Sequence, residues 1–149
     1  MKNLLALFLI FCILGFSQFF LQLDDFKSYQ GNVTFVADIQ NKYPVCAKVI
    51  ESGGKSYVSA DLKYLKNLQN NLNNIHSFSF EFDNLNSDQF MKEYNVKILK
   101  TETVDDKTVI YGYSTRFTNH IFIDNKMVNV QIVQGEKLKV GVPLILDCF

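Results

Sequence analysis

The chain predicts an α+β domain: a curved antiparallel sheet with one long and one short helix packed on one face, in two layers. Three observations carry this. Short segments alternate apolar and polar residues at a period of two, the pattern of a half-buried strand. Turn residues follow one another closely enough to join neighbouring strands antiparallel. One stretch, residues 60–72, instead spaces its leucines at helical intervals.

Residues 18–30 fit either a short helix or a strand. Val33, Phe35, Ala37 and Ile39 then alternate with Thr34, Val36 and Asp38 in a first strand. Val45 to Ile50, after Pro44, is a second. Gly53-Gly54 is a hairpin turn whose returning strand is Ser56-Tyr57-Val58. Ser59 caps a helix beginning at Ala60, with Leu62, Leu65, Leu68 and Leu72 on one face and Lys63, Lys66, Asn67, Asn70 and Asn71 on the other. Asn73-Asn74 ends it, since asparagine tolerates the left-handed conformation of a helix stop.

Phe78, Phe80 and Phe82 alternate with Ser77, Ser79 and Glu81 in a strand with one strongly apolar face. Ser87 caps a short helix, Asp88 to Tyr94, with Phe90, Met91 and Tyr94 inward. Val96 to Val104 and Thr108 to Ser114 pair about the turn Asp105-Asp106-Lys107. Ile121 to Ile123 and Met127 to Val133 pair about Asp124-Asn125-Lys126. Leu138 to Leu146 is the last strand. Gly141 and Pro143 inside it predict a kink or an edge position, because proline has no N–H for the ladder.

Ahead of this domain stands a secretory signal. Met1-Lys2-Asn3 supplies the positive start, and Leu4 to Phe16 is an unbroken apolar run of thirteen residues. That length suits a signal segment and falls short of the ~20 residues a bilayer requires. Gly15 and Ser17 place small residues where a signal peptidase needs them. The organisation expected is therefore residues 1–17 as signal peptide and 18–149 as a single secreted or extracytoplasmic domain. An uncleaved membrane anchor is the rival reading, since Phe19, Phe20, Leu21 and Leu23 prolong the apolar character. Ser17, Gln18 and Gln22 interrupt it.

Fifteen basic and fifteen acidic residues balance in the full chain, and removal of Lys2 with the signal leaves a slight acidic excess. No basic stripe is present, so no nucleic-acid partner is expected. Membrane attachment by charge is equally unsupported, leaving a membrane only if the signal is retained. Cys46 and Cys148 remain after the cut. In an oxidising compartment they form a candidate disulfide; the other reading is two thiols, one in a strand and one at a frayed end.

No residue pattern marks a catalytic or metal site, and no cofactor is expected. His76 and His120 lack partner ligands at metal-binding spacing. Cys46 with either histidine would make a nucleophilic pair only if the fold joined them. Asp105-Asp106 and Asp124-Asn125 read as turns rather than calcium loops. Asn32-Val33-Thr34 is a formal glycosylation acceptor. Gly112, between Tyr111 and Tyr113, marks a bulge or a close backbone approach. The densest aromatic and basic stretch is Tyr111, Tyr113, Arg116, Phe117 and His120, the candidate binding patch for a sugar, a peptide or a protein surface.

Three short motifs, Gly112-Tyr113-Ser114, Asn129-Val130-Gln131-Ile132 and Gly141-Val142-Pro143-Leu144-Ile145, resemble the exported TATA-box-binding-protein-like (YwmB) family of Firmicutes. The resemblance covers about a third of the chain. It implies a curved antiparallel sheet carrying helices. It does not imply DNA binding, and it supplies no catalytic residues. The function expected is a non-enzymatic extracytoplasmic module that binds an envelope protein or a cell-wall component. The alternative is a small exported hydrolase acting on an envelope substrate, which requires His76 or His120 to meet a nucleophile or carboxylate.

Overall fold

Alternating apolar and polar residues build most of the structure, a computed structural model that describes residues 25–145. The signal segment 1–17 and Cys148 lie outside the described residues. Ten strands are present among those described: β1 (Gly31–Asp38), β2 (Lys48–Ser52), β3 (Lys55–Asp61), β4 (Ser77–Phe82), β5 (Lys97–Val104), β6 (Lys107–Tyr113), β7 (Ile121–Ile123), β8 (Lys126–Val128), β9 (Val130–Gln134) and β10 (Leu138–Val142). Eight form one open antiparallel sheet in the order β2-β3-β1-β4-β10-β9-β6-β5, while β7 and β8 make a separate ribbon. The helices are α1 (Leu65–Asn71) and α2 (Ser87–Glu93).

Three tight turns set the register. Gly53-Gly54, Asp105-Asp106 and Asp124-Asn125 each hold both central residues at positive φ, as a two-residue hairpin turn with matching twist requires. The turn chemistry read in the sequence is therefore the chemistry used.

The core lies against one face of the sheet. Along one register line run Ala60, Val33, Phe80, Val140, Ile132 and Ile110, ending at Thr101 on β5. Leu62, Leu65, Leu68 and Leu72 from the α1 region, and Phe90 and Tyr94 from α2, belong to the same apolar cluster. Phe26 sits at its centre, 4.2 Å from the Phe80 ring and 5.0 Å from Tyr94, and Tyr94 lies 5.9 Å from Phe117. Burying each such side chain contributes ~2–3 kcal/mol.

Several expectations are corrected. The helix does not begin at Ala60, and it is not long. Ser59 and Ala60 stay in β3, where they pair with Thr34 and Val33, and Ser59 bonds the Thr34 hydroxyl instead of capping. Asp61 takes the capping role by accepting from Lys63 N, starting a 3-10 turn (Leu62–Tyr64) before the two-turn α1. Asn86, not Ser87, caps α2. Val45 is exposed, and β2 starts only at Lys48. Asn129 divides the predicted 127–133 strand into β8 and β9. The last strand is not an edge: β10 lies between β4 and β9 and ends at Val142, where the chain bends at Pro143 and turns back. The edges are β2 and β5, and β5 carries an irregularity between Ile98 and Lys100.

Candidate functional site on the polar sheet face

Strand alternation gives the sheet a second face of different chemistry. One register line crosses all eight strands on that face: Lys48, Ser59, Thr34, Ser79, Gly141, Gln131, Tyr111 and Lys100. It contains no aliphatic side chain. The buried side chains of both helices belong to the apolar cluster of the other face.

Short side chains on long strands leave a groove. It has a volume of about 420 Å³. The hydroxyls of Thr34, Ser59 and Ser79 line its middle, with Lys48 and Cys46 toward β2 and Glu81, Lys139 and Ile145 toward β10. Thr34 Oγ1 and Ser59 Oγ lie 2.8 Å apart. A second hollow of about 440 Å³ adjoins it, sharing Glu81 and Lys139 and adding Lys107, Val133 and Lys137. The Glu81 carboxylate is engaged by Lys137 Nζ at 3.0 Å, and Lys137 also reaches Asp83 at 2.9 Å. Those two carboxylates, Asp83 foremost, push the Lys137 ammonium well above the ordinary lysine range.

The chain end described at this face is pinned. After Val142 the backbone turns back over β10, so that a Cβ on Gly141 would stand 2.0 Å from Ile145 N. Only glycine admits that approach. Gln131 Oε1 then accepts from Ile145 N at 2.8 Å, and the Gln131 side chain is buried by the contact.

A polar cluster stands where β1 ends. Asp38 Oδ1 receives Lys55 Nζ at 2.6 Å and lies 2.7 Å from His76 Nε2, while Asn74 Nδ2 donates to Asp38 Oδ2 at 2.8 Å. These partners, Lys55 first, hold the Asp38 carboxyl far below the usual carboxylate range. His76 thus meets a carboxylate. Among the described residues no serine, threonine or cysteine is hydrogen-bonded to it, and no group of three or more metal-ligating side chains gathers. At the other edge Lys100 bonds Glu102 at 2.6 Å and Asp124 at 2.9 Å, tying β5 to the β7–β8 turn.

The aromatic and basic stretch read in the sequence does not form one surface patch. Phe117 is 5% exposed and stacks in the core. Tyr111 lies on the polar face with its hydroxyl donating to Glu102, and burial followed by that negative charge pushes its phenol up. Tyr113 ends β6, Arg116 is exposed in the following loop, and His120 packs edge-on against the exposed Phe122 at 5.6 Å. The expected contiguity fails because the loop after β6 turns Phe117 inward.

Sequence reasoning missed the roles of three buried polar residues. Asn129 accepts from Ser114 N at 2.8 Å and donates to Ser114 O at 2.6 Å and Phe117 O at 2.7 Å. Ser114 Oγ donates to Tyr94 O at 2.5 Å. With Gln131, Gly112 and Gly141, these are residues of the three quoted motifs, so the motifs carry structural work. A Cβ on Gly112 would meet Val96 Cγ1 at 2.5 Å, a close approach of β6 to the start of β5.

Among the described residues no helix is long and apolar enough to cross a membrane. No protein-family model, no curated protein and no solved structure matches the chain.

Proposed function

We propose that this protein is an exported extracytoplasmic module, without catalysis of its own, that holds an envelope protein or cell-wall component on the polar face of its sheet. The observation that carries the reading is the polar stretch Lys48, Ser59, Thr34 and Ser79, which lines a groove of about 420 Å³. The hydroxyls of Thr34, Ser59 and Ser79 line that groove, and hydroxyls both donate and accept hydrogen bonds. Export rests on the apolar run before residue 17. The YwmB-like reading rests on the three short sequence motifs alone.

Crosslinking in the native host tests it. Wild-type protein captures one reproducible envelope partner. Thr34→Trp, which fills the groove, loses that partner. Phe122→Ser, on the β7–β8 ribbon, keeps it. Equal capture by all three chains excludes the polar face as the site.

The His76–Asp38 contact of 2.7 Å favours a second reading, the exported hydrolase. That reading still needs a nucleophile beside His76. Hydrolysis of envelope material by purified protein, abolished in His76→Ala, would replace binding with catalysis.

A further inference from the structure

We infer that the protein pairs with a second copy of itself through β2, edge to edge about a twofold axis, so that two sheets join into one. The inference rests on the sheet edges and is independent of what the polar face binds. The two edges are unlike. On β5 the ladder is irregular between Ile98 and Lys100, Lys126 Nζ donates to Leu99 O at 3.0 Å, and Lys100 is tied to Asp124 of the β7–β8 turn. An irregular ladder and a lysine laid on the edge keep another strand away. β2 pairs with β3 without a break, and every residue of it except Val49 is exposed.

The turn after β2 decides which of its backbone groups face outward. In a two-residue hairpin the flanking residues, here Ser52 and Lys55, form a hydrogen-bonded pair. Alternation then directs the backbone groups of Ile50 and Lys48 toward Tyr57 and Ser59 of β3. The N–H and C=O of Val49 and Glu51 point away from the sheet. Among the described residues no turn or loop gives these groups a backbone partner.

A second β2, antiparallel across an axis normal to the sheet, meets them in one of three registers. With Glu51 opposite Glu51, like charges face each other, and Val49 falls opposite Gly53, which has left the strand at positive φ. With Val49 opposite Val49, Glu51 falls opposite Ala47, whose N–H already donates to Pro44 O at 3.0 Å. With Val49 opposite Glu51, both pairs exchange both their N–H···O bonds and no outward group is left over. Ile50 then faces its own copy on the axis, at the close position where Cα atoms stand ~4.5 Å apart. Ile50 is 57% exposed in the single chain, so it gains an apolar neighbour. Lys48 meets Ser52, and no like charges are opposed. The edge is thus self-complementary in one register. Both copies use the same edge and β5 is closed, so assembly stops at two. A five-residue strand makes a small contact, and the dimer should form at about micromolar concentration.

Sedimentation of the purified full chain from about 1 µM to 1 mM tests this. The mass should rise from one chain toward two and no further. Amide exchange in residues 49–55 should slow several-fold over the same range, while residues 97–104 stay unchanged. Ile50→Lys sets two ammonium groups against each other on the axis and should weaken the dimer more than about tenfold. Glu51→Pro removes an outward N–H that no bond to β3 uses and should do the same. In Ile50→Cys, mild oxidation with glutathione should link the tryptic peptide 49–55 to its own copy, since the Cα separation suits a disulfide. A single chain at every concentration, growth past two chains, a dimer that survives Ile50→Lys, or an Ile50→Cys peptide linked chiefly to Cys46 overturns the inference. The exchange measurement needs no variant, so it decides the matter even where Glu51→Pro fails to fold: residues 49–55 exchanging equally fast at both ends of the range overturns it too.

Discussion

Two neighbouring register lines cross seven shared strands on opposite faces, the outer one adding β2, and share almost no chemistry. The inner one runs Ala60, Val33, Phe80, Val140, Ile132, Ile110, Thr101; the outer runs Lys48, Ser59, Thr34, Ser79, Gly141, Gln131, Tyr111, Lys100. Each of the seven shared strands contributes adjacent residues to the two lines, as Ser79 and Phe80 do on β4. A slip of one residue would exchange them, so the contrast itself enforces the register. The inner line is where free energy is gained, and the outer line is where the proposed partner would be met. Substitution of Phe80 by Ala should test the first half of that statement most severely. Its ring is almost wholly buried and lies 4.2 Å from Phe26. The expected loss is about 3–5 kcal/mol, read as a lower urea midpoint. Ser79→Ala, one residue away, should move the midpoint by much less.

The comparison sharpens at Asn129, where a polar residue does inner-face work. Its amide satisfies Ser114 N, Ser114 O and Phe117 O in a buried site. Asn129→Ala strands those backbone groups without water and should cost about 2–3 kcal/mol. Because the same bonds hold the loop that turns Phe117 inward, amide exchange should accelerate first in residues 114–120. Unchanged exchange there would break the assignment of Asn129 as the loop's anchor.

A smaller effect, confined to acid, is expected at the end of β1. The Asp38 carboxyl is depressed by Lys55, His76 and Asn74. A group whose folded pKa is lowered contributes stability above its unfolded value near 4 and loses it as the pH falls toward the folded value. Melting temperature should therefore fall with acid below about pH 4, and Asp38→Asn should flatten that slope while lowering the neutral-pH value slightly. The site is exposed, so salt should shrink the difference. An identical acid slope in wild type and Asp38→Asn would show that other carboxylates carry the transition.

Much of this architecture was legible in the sequence for identifiable reasons. Phe78, Phe80 and Phe82 alternate without exception, and the three hairpin turns use residues that accept positive φ. The errors fall where tertiary pairing overrides local preference. Ser59 reads as a helix cap, yet Thr34 across the strand claims its hydroxyl. Pro143 reads as an edge residue, yet it stands just beyond β10 and leaves the central ladder intact. The groove could not be read at all. Its hydroxyls come from Thr34, Ser59 and Ser79, distant in the chain, and only the strand order β3-β1-β4 aligns them. Nor does composition distinguish the exposed aromatics of a binding patch from Phe117, which the loop buries.

The least effect on stability and the most telling one for function should come from Thr34→Val. Valine keeps the branched shape and strand preference of threonine, so packing and register are preserved. What is lost is one hydrogen bond to Ser59, half-exposed and replaceable by water. The expected change is within about 1 kcal/mol. A hydroxyl line that served only to solvate the sheet would leave partner capture as unaffected as stability. A line that meets a ligand would lose capture several-fold with the melting temperature unmoved, because an unpaired ligand group would then face a methyl. A large loss of stability in Thr34→Val would instead assign the Thr34–Ser59 pair to the fold and remove it from the binding surface.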